Sequence, residues 1–111
     1  MMLIRTLFFT IICLSSSVVF AAGDEAAGKE KATVCQSCHG ATGNESITPD
    51  IPKLAGQHED YLIHALSSYR SGDRQQAVMS TFASQLSDQD IEDLAAYFSG
   101  QNSQLSHIVA E

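Results

Sequence analysis

The sequence predicts an all-α domain, on three observations. From residue 22 onward no β-branched or alternating run reaches strand length, several segments carry apolar residues at helical spacing, and the last of them opens with paired helix-start signals. Neither an internal repeat nor a low-complexity tract occurs, and 111 residues allow one domain.

The first candidate helix begins at Asp24-Glu25, where acids face the positive end of the helix dipole, and runs through Lys29 and Val34 into Cys35 and Cys38. Gly28 is a poor helix former at its centre, which points to close contact with another helix. Gly40, Gly43, Asn44 and Pro49 mark an irregular loop from Gly40 to Ile51. Helical spacing resumes from His58 to Arg70, with Leu62, Leu66 and Tyr69 on one face and Ser71-Gly72 as the stop. The stretch that follows Gly72 and holds Met79 reads as non-helical. Ser87 can cap the last helix, Asp90 occupies the capping-box position, and Leu86 can staple onto Ile91. Ile91, Leu94, Ala95 and Phe98 form its buried stripe, and Gly100 closes it.

Residues 1–21 are expected to be a cleaved secretory signal. Met1 to Arg5 is a short basic region, Leu7 to Leu14 is apolar, and Val19-Phe20-Ala21 offers small residues to a signal peptidase. A retained anchor is the rival reading, since Leu3 to Ala22 is nearly long enough to span a bilayer, although Ser15-Ser16-Ser17 interrupts it. Lipid attachment at Cys13 is disfavoured by Ile11-Ile12 where a lipobox has a small residue. Residues 22–100 then form the domain, and 101–111 a loosely held polar tail. Export to the periplasm follows from this organisation.

Loss of residues 1–21 removes one charge, that of Arg5, so the formal charge of −7 becomes −8. Nucleic acid is excluded as a partner by that balance. An acidic surface instead suits brief docking on a basic patch of a redox protein.

The chemistry sits in Cys35-Gln36-Ser37-Cys38-His39, the attachment signature of a covalently bound haem. Two thiols on one helical turn can each add to a haem vinyl group, and the adjoining imidazole turns to the iron. A thioredoxin-like dithiol would follow a strand, which is missing before Cys35, and zinc would need a second ordered ligand pair, whereas His58, His64 and His107 are scattered. With His39 on one face, the second axial ligand comes from elsewhere. Met79 is the one methionine left after cleavage; His58 and His64 are the alternatives. A domain of about 90 residues without tryptophan is marginal by itself, so haem is expected to complete the core among Val34, Leu54, Leu62, Leu66, Phe82 and Phe98.

These residues resemble the class I cytochromes c of bacterial periplasms, in the branch that holds single-haem carriers, two-haem tandem cytochromes and the haem subunit of flavocytochrome c sulfide dehydrogenase. The matching stretches are Gly28-Lys29, Cys35 to Gly40, Pro52-Lys53-Leu54-Ala55-Gly56-Gln57, Tyr61-Leu62, Tyr69 to Arg74, Met79, and Leu86 to Ile91 continuing through Leu94 to Tyr97. The resemblance implies the cytochrome c fold, three to four helices wrapped around one haem c. It further implies thioether links at Cys35 and Cys38, axial His39 and Met79, a hydrogen bond from His39 to the Pro52 carbonyl, and close approach of Tyr97 to Gly28. Arg70 or Arg74 is a candidate partner for a haem propionate.

The function implied is one-electron transfer by a low-spin His/Met haem without enzymatic activity. The donor would be a quinol-oxidising complex or a dehydrogenase, and the acceptor a terminal oxidase or reductase, met in transient docking at the membrane. The protein would be a monomer. The alternative is a fixed haem subunit, in a heterodimer, of a sulfide or thiosulfate dehydrogenase.

Overall fold

The computed structural model describes residues 22–103; the expected signal segment and the tail beyond Ser103 lie outside the described residues. Within them the chain forms five helices and no strand: α1 (Glu25–Lys31), α2 (Thr33–His39), α3 (Glu59–Ser71), α4 (Ala77–Ala83) and α5 (Asp88–Ser99). No helix among the described residues is long and apolar enough to cross a membrane.

Asp24 caps α1, its side chain accepting a hydrogen bond from the Ala27 amide at 3.0 Å. The single helix expected from Asp24 to Cys38 is broken into two by a turn at Ala32, which is at once the end of α1 and the start of α2. Ala32 is wholly buried in the core cluster with Leu62, Leu94, Ala95, Tyr97 and Phe98, so tertiary packing makes the break where no glycine or proline does. Helix α3 ends at Gly72, whose φ of 89° is the left-handed conformation that glycine adopts without penalty. Helix α5 has the full capping box: Asp90 N–H donates to Ser87 Oγ at 3.1 Å and Ser87 N–H donates to Asp90 Oδ2 at 2.9 Å. Gly100 does end α5, but in ordinary right-handed conformation, so the stop comes without a left-handed cap.

Helices α1 and α5 cross most intimately, and α3 packs against both α5 and α4. The crossing is possible because Gly28 has no side chain: a Cβ there would overlap the Asp93 carbonyl and lie 2.8 Å from Tyr97 Cβ. Beside it the buried Asp93 carboxylate accepts from the Asp24 amide at 2.8 Å, Gln89 Nε2 at 2.8 Å and Lys31 Nζ at 2.5 Å. Lys31 also pairs with Asp90 at 2.9 Å. The beginning and end of the domain are thus joined by apolar packing and by one satisfied ionic cluster.

The Met79 stretch differs from expectation. It is helical, because Gln76 caps α4 by accepting the Met79 amide at 2.7 Å, and Ala77-Val78-Met79 then winds on without a breaker.

Candidate haem site

Helix α2 carries Cys35 and Cys38 one turn apart, both half-buried and not joined to each other. Cys35 packs against the core cluster, and burial pushes its thiol pKa up, opposite to the lowered value of a reactive redox dithiol. Such a thiol is a poor candidate for reversible disulfide exchange.

His39 ends α2 and is only 6% exposed. Its Nδ1 lies 2.7 Å from the Pro52 carbonyl oxygen. A carbonyl can only accept, so Nδ1 carries the proton and donates it, which leaves the Nε2 lone pair for a metal. Pro52 is held in place by its own loop. Leu54 N–H and Ala55 N–H both donate to the Gly43 carbonyl, at 2.8 and 3.3 Å, and Ile47 N–H donates to the Cys38 carbonyl at 3.0 Å. The loop is pinned from α5 by Tyr97, whose hydroxyl donates to the Ala41 carbonyl at 3.1 Å. Asn44, buried, donates to the Asn102 carbonyl at 2.7 Å. Tyr97 hydroxyl and Asn44 had no signal in the sequence as loop anchors, because each acts on a backbone carbonyl.

Of the six apolar side chains expected around haem, Leu62 and Phe98 are buried and Leu54 and Leu66 pack half-buried against the core. Val34 and Phe82 are 48% and 43% exposed, so the polypeptide's own packing leaves them an apolar face. Met79 is half-buried on the first turn of α4. His58 and His64 are exposed. A paired thiol, an imidazole with one free lone pair, a thioether and uncovered apolar side chains fit a flat apolar iron porphyrin.

Each of the two arginines has contacts within the fold. Arg70 donates from Nη1 to the Leu86 carbonyl at 3.1 Å and from Nη2 to Asp88 Oδ1 at 2.6 Å. The Arg74 guanidinium lies 4.8 Å from the centroid of the Tyr69 ring.

An all-α fold that presents this donor set defines a class I c-type cytochrome, with haem c as its cofactor. The chain belongs to the cytochrome c family, whose model matches residues 25–101. It is 49% identical over 86 residues to cytochrome c4 of Pseudomonas aeruginosa, a match covering 78% of this chain and 42% of the relative. To cytochrome c-554(548) of Halomonas halodenitrificans it is 45% identical over 83 residues, 72% of this chain and 99% of that one. The crystal structure of reduced recombinant cytochrome c4 from Pseudomonas stutzeri superposes with a TM-score of 0.68 at 46% identity, covering 73% of this chain and 47% of that one. The chain spans about half the length of the cytochromes c4 it matches.

Proposed function

We propose that this protein is a periplasmic one-electron carrier, exported by residues 1–21, with haem bound through Cys35 and Cys38 and held by His39 and Met79. The observation that carries the reading is the buried His39 ring, whose proton is fixed on Nδ1 by the Pro52 carbonyl at 2.7 Å. That bond sets the plane of the imidazole and raises the basicity of Nε2. Cys35 and Cys38 would make the attachment permanent, so the carrier keeps its cofactor through encounters with other proteins. Haem, when bound, supplies the Fe(III)/Fe(II) couple. Met79 would close the second axial position to external ligands and, as a thioether, favour the reduced state. Leu54, Leu62, Leu66 and Phe98 would exclude water from the site, which keeps reorganisation on electron transfer small. As in its cytochrome relatives, the protein itself would be a carrier and its donor and acceptor other redox proteins.

A second reading rests on a particular likeness. The chain is 40% identical over 74 residues to a thiosulfate dehydrogenase electron acceptor of Thiomonas intermedia, covering 67% of this chain and 34% of that protein. A dedicated acceptor of one dehydrogenase would co-purify with it, whereas a diffusible carrier elutes alone from a sizing column.

The deciding experiment is the visible spectrum of the ferric protein and of Met79→Ala. The wild type should show the weak far-red band of thioether-ligated iron; the variant should keep its haem, lose that band, bind carbon monoxide when reduced and have a lower potential. An identical spectrum in the variant removes Met79 from the site.

A further inference from the structure

Every residue from Ser71 to Val78 is exposed, so burial does not hold the segment that delivers Met79. Its attachments are few. Gly72 N–H and Arg74 N–H both donate to the Ser68 carbonyl at 3.1 Å, and these bonds keep the chain on the end of α3 as far as Arg74. The Asp73 side chain is spent on Ser71 Oγ at 2.8 Å. Beyond Arg74 the contact described before the helix is the local Gln76 cap on Met79 N–H. Arg74 is therefore where the chain leaves α3 for the thioether, and its guanidinium reaches back over the Tyr69 ring at 4.8 Å. Tyr61, eight residues further back along α3, also favours the charged form of this guanidinium. At the far end of α4, Arg70 of α3 holds the Leu86 carbonyl at 3.1 Å. Helix α4, which also packs against α3, thus has an arginine contact before its start and another beyond its end.

We propose that Arg74, stacked on Tyr69, is a positioning residue that holds the Met79-bearing segment against α3 and so sets how firmly the thioether is presented to the iron. The proposal rests on the reading of Met79 as the axial ligand. A stacked arginine is the suitable choice here: it needs no burial, keeps its charge at any working pH, and restrains a segment without covering the surface around it.

An external ligand must displace Met79, so its apparent affinity rises by the factor by which the thioether is loosened. Imidazole titrated into the ferric holoprotein, followed by loss of the far-red band, reads that factor. Arg74→Gln and Tyr69→Leu should each raise imidazole affinity about two- to five-fold, the range for one exposed stacking contact. Tyr69→Phe keeps the ring face and should match wild type. The Arg74→Gln, Tyr69→Leu double variant should show no more than Arg74→Gln alone, because that change already removes the stacking contact. Denaturant midpoints followed by far-UV circular dichroism separate this from general weakening, since Arg74→Gln should leave them close to wild type. Unchanged imidazole affinity in Arg74→Gln overturns the tether. Absence of the far-red band from wild type would instead fell the ligand assignment, and the tether with it.

Discussion

Replacing Gly28 by alanine pits a local gain against a tertiary loss, and the structure decides between them. In an isolated helix the change is worth about 1 kcal/mol in favour of alanine. Here the added Cβ would sit 2.6 Å from the Asp93 carbonyl carbon and 2.8 Å from Tyr97 Cβ. Carbon contacts are comfortable at roughly 3.5–4.0 Å, so α1 and α5 must part by about 1 Å. The Asp93 carbonyl belongs to the α5 backbone and cannot swing aside as a side chain can. Overpacking of this kind costs about 1–3 kcal/mol, and the Asp93 bonds to Lys31 and Asp24 lengthen at the same time. Taking the middle of that range, a net loss of roughly 1 kcal/mol remains after the propensity gain, which is about 4–8 °C in melting temperature for a domain of this size. Guanidinium unfolding of the ferric protein, followed by far-UV circular dichroism, measures it. A variant as stable as wild type would refute the close crossing of α1 and α5.

Ser87→Ala removes the hydroxyl that caps α5 and should cost about 1 kcal/mol in the same assay, with Ser87→Asp close to neutral. The Lys31 ammonium, then the Ser87 backbone amide, hold the Asp90 carboxyl at about 2, against an ordinary 3.8. The Asp24 amide, then Lys31, lower that of Asp93. Both carboxyls are depressed, so the stability they confer is present above the ordinary 3.8; the share of Asp90 is lost as pH falls through about 2, and that of Asp93 as pH falls through its own lowered value. The gap in denaturant midpoint between wild type and the Asp90→Asn, Asp93→Asn variant should accordingly be widest near pH 5 and narrow toward pH 2; a constant gap would show that the cluster carries no linkage. In native-state hydrogen exchange the Ser80 and Ser84 amides of α4 should exchange well before those of Leu94 and Ala95 in α5, and equal protection would contradict the packing described.

The parts of the fold legible in the sequence are those whose cause is local. Asp24, Ser87 and Asp90 advertise helix starts because capping acts within three residues, and Gly72 advertises a stop because its left-handed φ is a property of one residue. Cys35, Cys38 and His39 are equally plain, since one helical turn fixes their spacing. What could not be read has partners distant in the chain. Ala32 breaks the first helix for the sake of the core, in a stretch with good helix formers on both sides. Met79 lies in a helix whose cap, Gln76, is not among the usual capping residues. Asp93 looks like one more surface acid, and only the fold reveals Lys31, 62 residues away, as its counterion. Arg70 is a further case of a distant partner, since its contacts to the Leu86 carbonyl and Asp88 lie 16 and 18 residues away in the chain.

The two side chains proposed as iron ligands, His39 and Met79, differ in how they are supported. His39 is buried, bonded to Pro52, and lies in a loop and helix that Tyr97, Gly43 and Asn44 tie to the densely packed α1 and α5 half. Met79 stands on a seven-residue helix with one buried residue, Ala83, approached through an exposed stretch. Local opening costs least where few contacts are lost, so the Met79 segment should open before the loop and helix that hold His39. This division suits a carrier. On the proposed ligation, the densely packed half would hold the cofactor, and the sparsely held α4 would carry the ligand that sets the preference for reduced iron, so that a change in one of its few contacts should shift the potential with little effect on the fold.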